Sequence, residues 1–214
     1  GINIENIRFK DHEKLAHYAK EACDIEYKFP FGFGELWGTH NRTNYDLSRH
    51  QEFSSKSMEY LNPETNEKYI PYVIESSVGC DRLTLAVLCD AYHEEILEDG
   101  SIREVMKFSK VLAPYKVAVL PLVKKFHKEK AEEIYKMLSK HFMCSYDETG
   151  NIGKRYRRED VIGTPYSITI DDETINNNTV TVRDRDTMKQ ITIKVDDIVN
   201  YINELNCNFY MPVG

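Results

Sequence analysis

Tyr72-Val-Ile-Glu-Ser-Ser-Val-Gly-Cys-Asp-Arg-Leu-Thr-Leu-Ala-Val-Leu-Cys-Asp90 is the stretch on which the reading of the chain turns. Tyr72 to Glu75 is short and apolar with a β-branched centre, which suits a buried strand. Ser76 to Asp81 is small and polar and carries Gly79, so it predicts a tight turn. From Arg82 onward, Leu83, Leu85, Ala86, Val87 and Leu88 form an almost continuous apolar run, which predicts a buried helix. Glu75, Asp81 and Arg82 stand at the turn between these elements. Charges placed there must be paired or used. From spacing alone two readings stand side by side: a structural ion pair with Asp81 capping the helix, or a binding site.

Upstream, Phe29-Pro-Phe-Gly-Phe-Gly-Glu-Leu-Trp-Gly38 alternates glycines with aromatics. It predicts a glycine-weakened strand with room for a close backbone neighbour or a ligand. Glu35 is the one charge in this apolar ribbon and needs a partner. The strands of Glu35 and of Tyr69–Glu75 are expected to run antiparallel, side by side, as the floor of a pocket. Leu15, Ala16, Ala19 and Ala22 stand at roughly helical spacing and predict a helix over about Asp11–Cys23. His12, Glu13 and His17 there do not make a zinc-protease motif, because HExxH needs His at the position of Ala16. Residues 51–69 read as a polar excursion with a turn at Asn62–Asn66. Residues 91–110 are charged and helical in composition, with a loop at Glu98–Ser101.

After Leu112-Ala-Pro-Tyr115 the pattern changes. Tyr115–Val123 predicts a buried strand ending near Pro121, and His127–His141 an amphipathic helix with Ala131, Ile134, Met137 and Leu138 on one face. Strands at 142–146 and 164–170, a short basic helix at 151–160, a turn at 176–178, a hairpin of 179–183 with 190–195, and a helix capped by Asp196-Asp197 complete the order βαβαβββα. Helices covering a mixed sheet make an α/β sandwich. Asn206–Gly214 reads as a tail.

The net charge of −7 is carried entirely by residues 1–111, while residues 112–214 are balanced. RNA contact is therefore expected in the second half, through a local basic patch. Lys154, Arg155, Tyr156, Arg157 and Arg158 form such a basic-aromatic run. Its plainer reading is a solvated helix whose arginines pair with Glu159 and Asp160. The five cysteines, Cys23, Cys80, Cys89, Cys144 and Cys207, show no CxxC spacing. They are read as thiols in a reducing cytosol, without disulfides or zinc. No run reaches the length of a membrane span.

Glu75-Ser-Ser-Val-Gly-Cys-Asp-Arg82 and the apolar helix after it resemble motif 3 of the class II aminoacyl-tRNA synthetases. The form is similar to that of the homodimeric glycyl-tRNA synthetases. The segments His12–Ala19 and Asp24–Gly32, Gly34-Glu-Leu-Trp-Gly38 and Arg42-Thr-Asn-Tyr-Asp-Leu47 resemble further blocks of that family. Residues 113–122, 147–158, 162–166 and 179–188 resemble the anticodon-binding domain shared by the glycyl, histidyl, threonyl and prolyl enzymes.

This resemblance implies part of a class II antiparallel catalytic sheet in residues 1–111, without motifs 1 and 2. It implies an α/β anticodon-binding domain in 112–205 and a tail in 206–214. It implies an ATP site at Glu35, Leu36, Gly79, Cys80, Asp81 and Arg82, with Arg82 over the adenine and Glu35 holding Mg²⁺. It implies a glycine site at Glu75, Ser76, Ser77, Val78 and Gly79, in which a carboxylate receives the ammonium group. Arg42 and Asp46 are expected to form an ion pair. Arg183 and Arg185, with Asp186, join Lys154–Arg158 as candidates for tRNA contact, since arginine reads guanine bidentately. The implied function is a C-terminal fragment of a glycine–tRNA ligase that works without a protein nucleophile. Its implied partners are glycine, ATP, tRNA(Gly) and a second subunit, in the cytoplasm. The isolated fragment is expected to be inactive. The rival reading is a synthetase-like accessory protein that binds nucleic acid and does no chemistry.

Overall fold

The structure is a computed structural model that describes residues 1–207. Contacts divide the chain into two compact units, Ile2–Asp90 and the residues from Ala91 onward with Gly1. The sequence reading sets its junction at Leu112. The division falls earlier because a hairpin after Ala91 packs on a helix of the second unit.

The first unit is built on β1 (Ile7–Asp11), β2 (Glu21–Phe29), β3 (Gly32–Asn41), α1 (Tyr45–Ser54), the short pair β4 (Tyr60–Leu61) and β5 (Lys68–Tyr69), β6 (Ile74–Val78) and α2 (Cys80–Ala91). Its main sheet is antiparallel in the order β1-β2-β3-β6. β3 and β6 lie side by side, as expected, with Gly38 opposite Ser77 and His40 opposite Glu75. The expected helix over Asp11–Cys23 is absent. Asp11 closes β1, and Cys23 lies in β2 opposite it. Four small or apolar residues at helical spacing are a weak signal against a ladder in which Ala22, Asp24 and Glu26 alternate with Cys23, Ile25 and Tyr27. Phe29–Gly38 is likewise two strands: Phe29 ends β2, and the chain turns before Gly32, which sits at φ 110°.

β6 is not the buried strand that its composition predicts, for Tyr72 is 59% and Ile74 62% exposed. The strand also runs on to Val78, three residues past Glu75, so Ser76 and Ser77 are strand residues rather than turn. α2 buries one stripe: Ala86 is fully buried against Tyr27, Phe29 and Leu36, while Leu85 and Leu88 stay exposed. Asp90 ties the end of α2 to the N-terminal segment, accepting from the Asn3 amide (2.8 Å), Asn6 Nδ2 (2.7 Å) and Tyr27 Oη (3.2 Å). Burial, and then the Asp90 charge, push the Tyr27 phenol up to about 12.

A bulge interrupts the β2–β3 ladder, so that Glu26 faces Glu35 whereas Ile25 faces Trp37. Glu35 and Gly38 are three residues apart and would point to opposite faces of a regular strand. The extra residue puts both on the face of Asp24 and Glu26, because directly opposed residues share a face.

The second unit opens with a hairpin, β7 (Tyr92–Ile96) and β8 (Ile102–Met106), where a helix is expected over 91–110. The loop at Glu98–Ser101 is the hairpin turn. Buried Arg103 and Val105 alternate with exposed Ile102 and Glu104, a period of two beneath a helix-like composition. The remainder is β9 (Val117–Pro121), α3 (Lys124–Leu138), β10 (Cys144–Tyr146), α4 (Ile152–Ile162), β11 (Tyr166–Ile170), α5 (Asp172–Asn177), β12 (Thr179–Asp184), β13 (Gln190–Lys194) and α6 (Ile198–Cys207). This matches the expected order with one helix added. α5 is a capping-box turn, Asp171 with Thr174, ahead of left-handed Asn178.

The sheet order is β10-β9-β11-β12-β13, parallel across the first three strands and antiparallel across the last two. β9 and β11 are buried along their whole length, as central strands covered on both faces must be. Ala131, Ile134 and Leu138 of α3 and Ile198 and Ile202 of α6 complete the core. Each fully buried aliphatic side chain of this kind contributes about 1.5–3 kcal/mol. Of the tail predicted for 206–214, Asn206 and Cys207 close α6, and the rest lies outside the described residues.

Candidate functional site

The bulge and the two ladders assemble a polar face on the first unit's sheet. Glu26 is 5% exposed and accepts from Arg8 Nε (2.7 Å) and Lys10 Nζ (3.1 Å). The Arg8 guanidinium holds its carboxyl below the usual range and itself lies 4.0 Å over the Phe33 ring. Next to it, Glu35 is exposed, and its carboxylate accepts no hydrogen bond among the described residues. Arg82, in the first turn of α2, donates Nη1 to the Glu35 carbonyl oxygen at 2.8 Å. Arg82 is thereby brought to the Glu35 strand although they are 47 residues apart.

Glu75 and Ser77 alternate on the same face, opposite His40 and Gly38. Glu75 Oε2 accepts from Arg42 Nη1 at 2.6 Å, and Arg42 also forks onto Asp46 at 2.6 and 2.9 Å. The expected Arg42–Asp46 pair is therefore present, with Glu75 as a third member. Hydrogen bonding to Arg42 holds the Asp46 carboxyl below the usual carboxylate range.

Gly38 is buried at a close-packed spot on this face. A Cβ there would lie 3.1 Å from His40, 3.4 Å from Asp24 Oδ1 and 3.5 Å from Glu35 Oε1. Asp24 is 8% exposed with Oδ1 unpartnered, and His12 Nε2 lies 2.7 Å from Asp24 Oδ2 without hydrogen-bond geometry. Asp24 and His40 escape sequence reasoning, and His12 figures in it only through the rejected zinc-protease motif. The signal that could have found Asp24 is its shared parity with Ala22 and Glu26, which the expected helix ending at Cys23 cuts through. Among the described residues no group of three or more His, Cys, Asp or Glu is arranged to hold a metal.

The other positions singled out by sequence divide in two. Gly79, Cys80, Asp81 and Arg82 are exposed at the strand-to-helix corner, and a Cβ on Gly79 would meet only Arg82, at 3.8 Å. Ser76 and Val78 alternate onto the opposite face from Ser77, where the Ser76 hydroxyl accepts from Trp37 Nε1 at 2.5 Å. Leu36 is 5% exposed and belongs to the core under α2, so only its backbone can face a nucleotide.

In the second unit, burial separates the basic residues. Arg155 is 3% exposed and donates to the carbonyls of Pro121 and Gly150. Arg183 forks onto Asp160 at 2.8 and 3.1 Å, and its guanidinium carbon lies 4.9 Å over the Tyr156 ring. The Tyr156 hydroxyl is 2.5 Å from Thr169 Oγ1, so this ring is fixed from both ends. Arg185 is 2% exposed and donates to the carbonyls of Gly163 and Phe108, both at 2.8 Å. Arg158 pairs with Asp147 and keeps 44% of its side chain exposed. Lys154 is exposed and Arg157 half-buried with Nη1 shielded from solvent, and neither side chain has a hydrogen-bond partner among the described residues. The plainer reading, a solvated helix whose arginines pair with Glu159 and Asp160, does not hold: both acids are buried, Asp160 serves Arg183 and, from the hairpin, Arg103 at 2.8 Å, and Glu159 accepts from Ser145 and Thr164.

Four described cysteines, Cys23, Cys80, Cys89 and Cys144, are free thiols, and no helix is long and apolar enough to cross a membrane among the described residues.

Residues 116–205 match the family described as the anticodon binding domain. Along 206 residues, 95% of its length, the chain is 61% identical to a glycine–tRNA ligase of Clostridium kluyveri, of which it covers 44%. It is 57% identical to a glycine–tRNA ligase of Clostridium tetani over the same shares, and 56% identical to one of Geobacillus kaustophilus, covering 95% of this chain and 45% of that protein. The chain therefore spans less than half the length of the curated relatives it matches.

Proposed function

We propose, for a chain that matches the C-terminal part of glycine–tRNA ligase, that it supplies the substrate floor and the anticodon reader of such an enzyme. The reaction is ATP-dependent. A glycine carboxylate oxygen bonds to the α-phosphate as pyrophosphate leaves, giving glycyl-adenylate. A hydroxyl at the 3′ end of tRNA(Gly) then takes the carbonyl carbon as AMP leaves. No side chain of this chain needs to form a covalent bond. Its contribution is positioning and charge.

Residues 1–111 are assigned to the catalytic part and 112–205 to the anticodon-binding part. Glu75 receives the glycine ammonium, with Ser77 beside it, and the backbone of Ser76, Val78 and Gly79 borders the site. Arg82 offers its guanidinium plane to the adenine, with Cys80 and Asp81 at the same corner and the Leu36 backbone below. Glu35 is an exposed carboxylate free to hold Mg²⁺ against the phosphates. For the tRNA, Lys154, Arg157 and Arg158 carry the phosphate contacts, while Arg155, Arg183 and Arg185 hold the surface in shape. The intact enzyme works as a cytoplasmic homodimer.

One observation carries this reading. Glu35, Glu75 and Ser77 share a face of two adjacent strands, and Arg82 is bonded to the Glu35 backbone at 2.8 Å. The test is binding of the chain to glycine tRNA and to the same tRNA with its anticodon changed, at one fixed salt concentration. Tighter binding to the natural anticodon supports the reader. Equal affinity for both removes it. The isolated chain is further expected to show no glycine-dependent ATP–pyrophosphate exchange, and exchange by the purified chain would contradict the division of labour.

A further inference from the structure

Glu75 is held by one residue whose own position is fixed on three sides. Arg42 follows the end of β3, and its backbone amide donates to the Val73 carbonyl at 2.9 Å, so it sits where β3 and β6 meet. Its guanidinium forks onto Asp46 through Nε and Nη2, lies 4.0 Å over the Tyr18 ring, and donates Nη1 to Glu75 Oε2 at 2.6 Å. Only 22% of the Arg42 side chain is exposed, against 39% for Glu75. Glu75 Oε1 accepts no hydrogen bond among the described residues, and the carboxylate stands on an otherwise open strand.

From this geometry we infer that Arg42 is the positioning residue of the amino-acid site: it pins one oxygen of Glu75 and leaves the other to a primary ammonium group. The inference rests on the glycine site proposed above. A glutamate with three side-chain torsions on an exposed strand visits several rotamers. An arginine locked by Asp46 and Tyr18 selects one of them. The trio of Arg42, Asp46 and Glu75 keeps a net charge of −1, which favours a cationic ligand at the free oxygen. Arg42 does not touch the ligand. Its replacement therefore acts on the order and affinity of the site rather than on the chemistry.

The test is carboxyl-carbon NMR of the full chain labelled at glutamate. The chain is titrated with glycine and, in parallel, with N-acetylglycine, which lacks the ammonium. In the unsubstituted chain the Glu75 resonance should move with glycine and stay still with N-acetylglycine. Arg42→Gln should shift the free-state Glu75 resonance and weaken glycine binding about ten-fold, the scale of one lost charge-assisted hydrogen bond. Arg42→Lys, which can reach Glu75 but cannot fork onto Asp46, should restore part of the affinity. Thermal unfolding of each variant separates this effect from a loss of fold. An unmoved Glu75 resonance in folded Arg42→Gln, or unchanged glycine affinity, overturns the positioning role. A Glu75 resonance that shifts with the substitution but ignores glycine in every form overturns the amino-acid site itself.

Discussion

The two units handle arginine in opposite ways. In the second unit Arg103, Arg155, Arg183 and Arg185 are each at most 7% exposed, and their guanidiniums end on the carboxylates of Glu95, Asp160 and Asp186 or on backbone carbonyls. In the first unit Arg42 and Arg82 lie on a half-open face, one holding two carboxylates and the other a single carbonyl. Buried arginines held by carboxylates and carbonyls of their own unit are architecture. Partly exposed ones with unpaired acids beside them are candidates for ligand contact. The lesson is that a basic run in a sequence marks charge, and only burial and partners say whether that charge is available.

The largest test of this contrast is Asp160→Asn. Asp160 is 1% exposed and serves both Arg103 and Arg183. Losing the charge leaves buried Arg183 without its anion and Arg103 with Glu95 alone, at an expected cost of about 3–5 kcal/mol in urea unfolding. A loss below about 1 kcal/mol would mean that water replaces the anion and that these arginines are not architectural.

Next comes a pair of glycines. Gly163 caps α4 at φ 87°, and a Cβ there would lie 2.6 Å from Phe108 and 2.8 Å from the Met106 carbonyl oxygen. Gly163→Ala should cost about 2 kcal/mol or more through strain and displacement of β8. Gly38→Ala meets only side-chain atoms at 3.1–3.5 Å and should cost less than about 1 kcal/mol. It should nonetheless reduce ligand binding on the first unit's polar face, as calorimetry with glycine would show. Equal stability losses at both positions would erase the distinction between a glycine hemmed in by backbone and one that meets only side chains.

A smaller effect is expected at the RNA surface. Lys154→Ala and Arg157→Ala should each lower the slope of log K against log salt by about 0.7–0.9, the release of one counterion, without altering anticodon preference. A conservative change at Arg155, such as Arg155→Lys, should instead lower the unfolding midpoint.

The smallest effect concerns pH. Asp184 is held below the ordinary carboxylate range: burial pushes it up, but the Thr187 amide and the Lys110 ammonium outweigh that. A depressed acid gives stability that is complete above its unfolded value, 3.8, and that is lost as pH falls through the folded one. Glu159 runs the other way, since burial raises its carboxyl despite hydrogen bonds from Thr164 and Ser145. The folded state holds that proton more tightly than the unfolded state. Glu159 therefore adds stability as pH falls through its folded value towards 4.5, and Glu159→Gln should remove only that gain. Parallel stability–pH curves for the two proteins would contradict the sign.

Much of the second unit was legible because its elements carry strong periods. Val117–Pro121 is continuous and apolar, and α3 repeats at Ala131, Ile134 and Leu138. The two regions misread as helix, 11–23 and 91–110, hold the end of β1, the start of β2 and the β7–β8 hairpin, and charged residues are buried in these strands beside small or apolar ones: Asp24 and Glu26 follow Ala22 in β2, and Arg103 precedes Val105 in β8. Period-two burial is invisible to a hydrophobic pattern when the inward residues are ions paired across the sheet. At the candidate site, Glu35, Glu75, Ser77, Arg82 and the Arg42–Asp46 pair were legible through motif resemblance. Arg42 reaching Glu75, and Asp24 beside Gly38, depend on strand register, which no local pattern records.

The bulge between Glu35 and Trp37 decides how β3 can change over generations. Substitutions along it act in degrees, since each side chain meets a few neighbours. A single-codon insertion or deletion between Gly38 and Asn41 acts all at once, because it turns every later residue to the other side and separates His40 from Glu75. Leu36 is the exception. A lineage that dropped this codon would lose a core contact under α2 and keep Glu35 and Gly38 on one face, so along β3 a change of length is survivable at this position and disruptive at its neighbours.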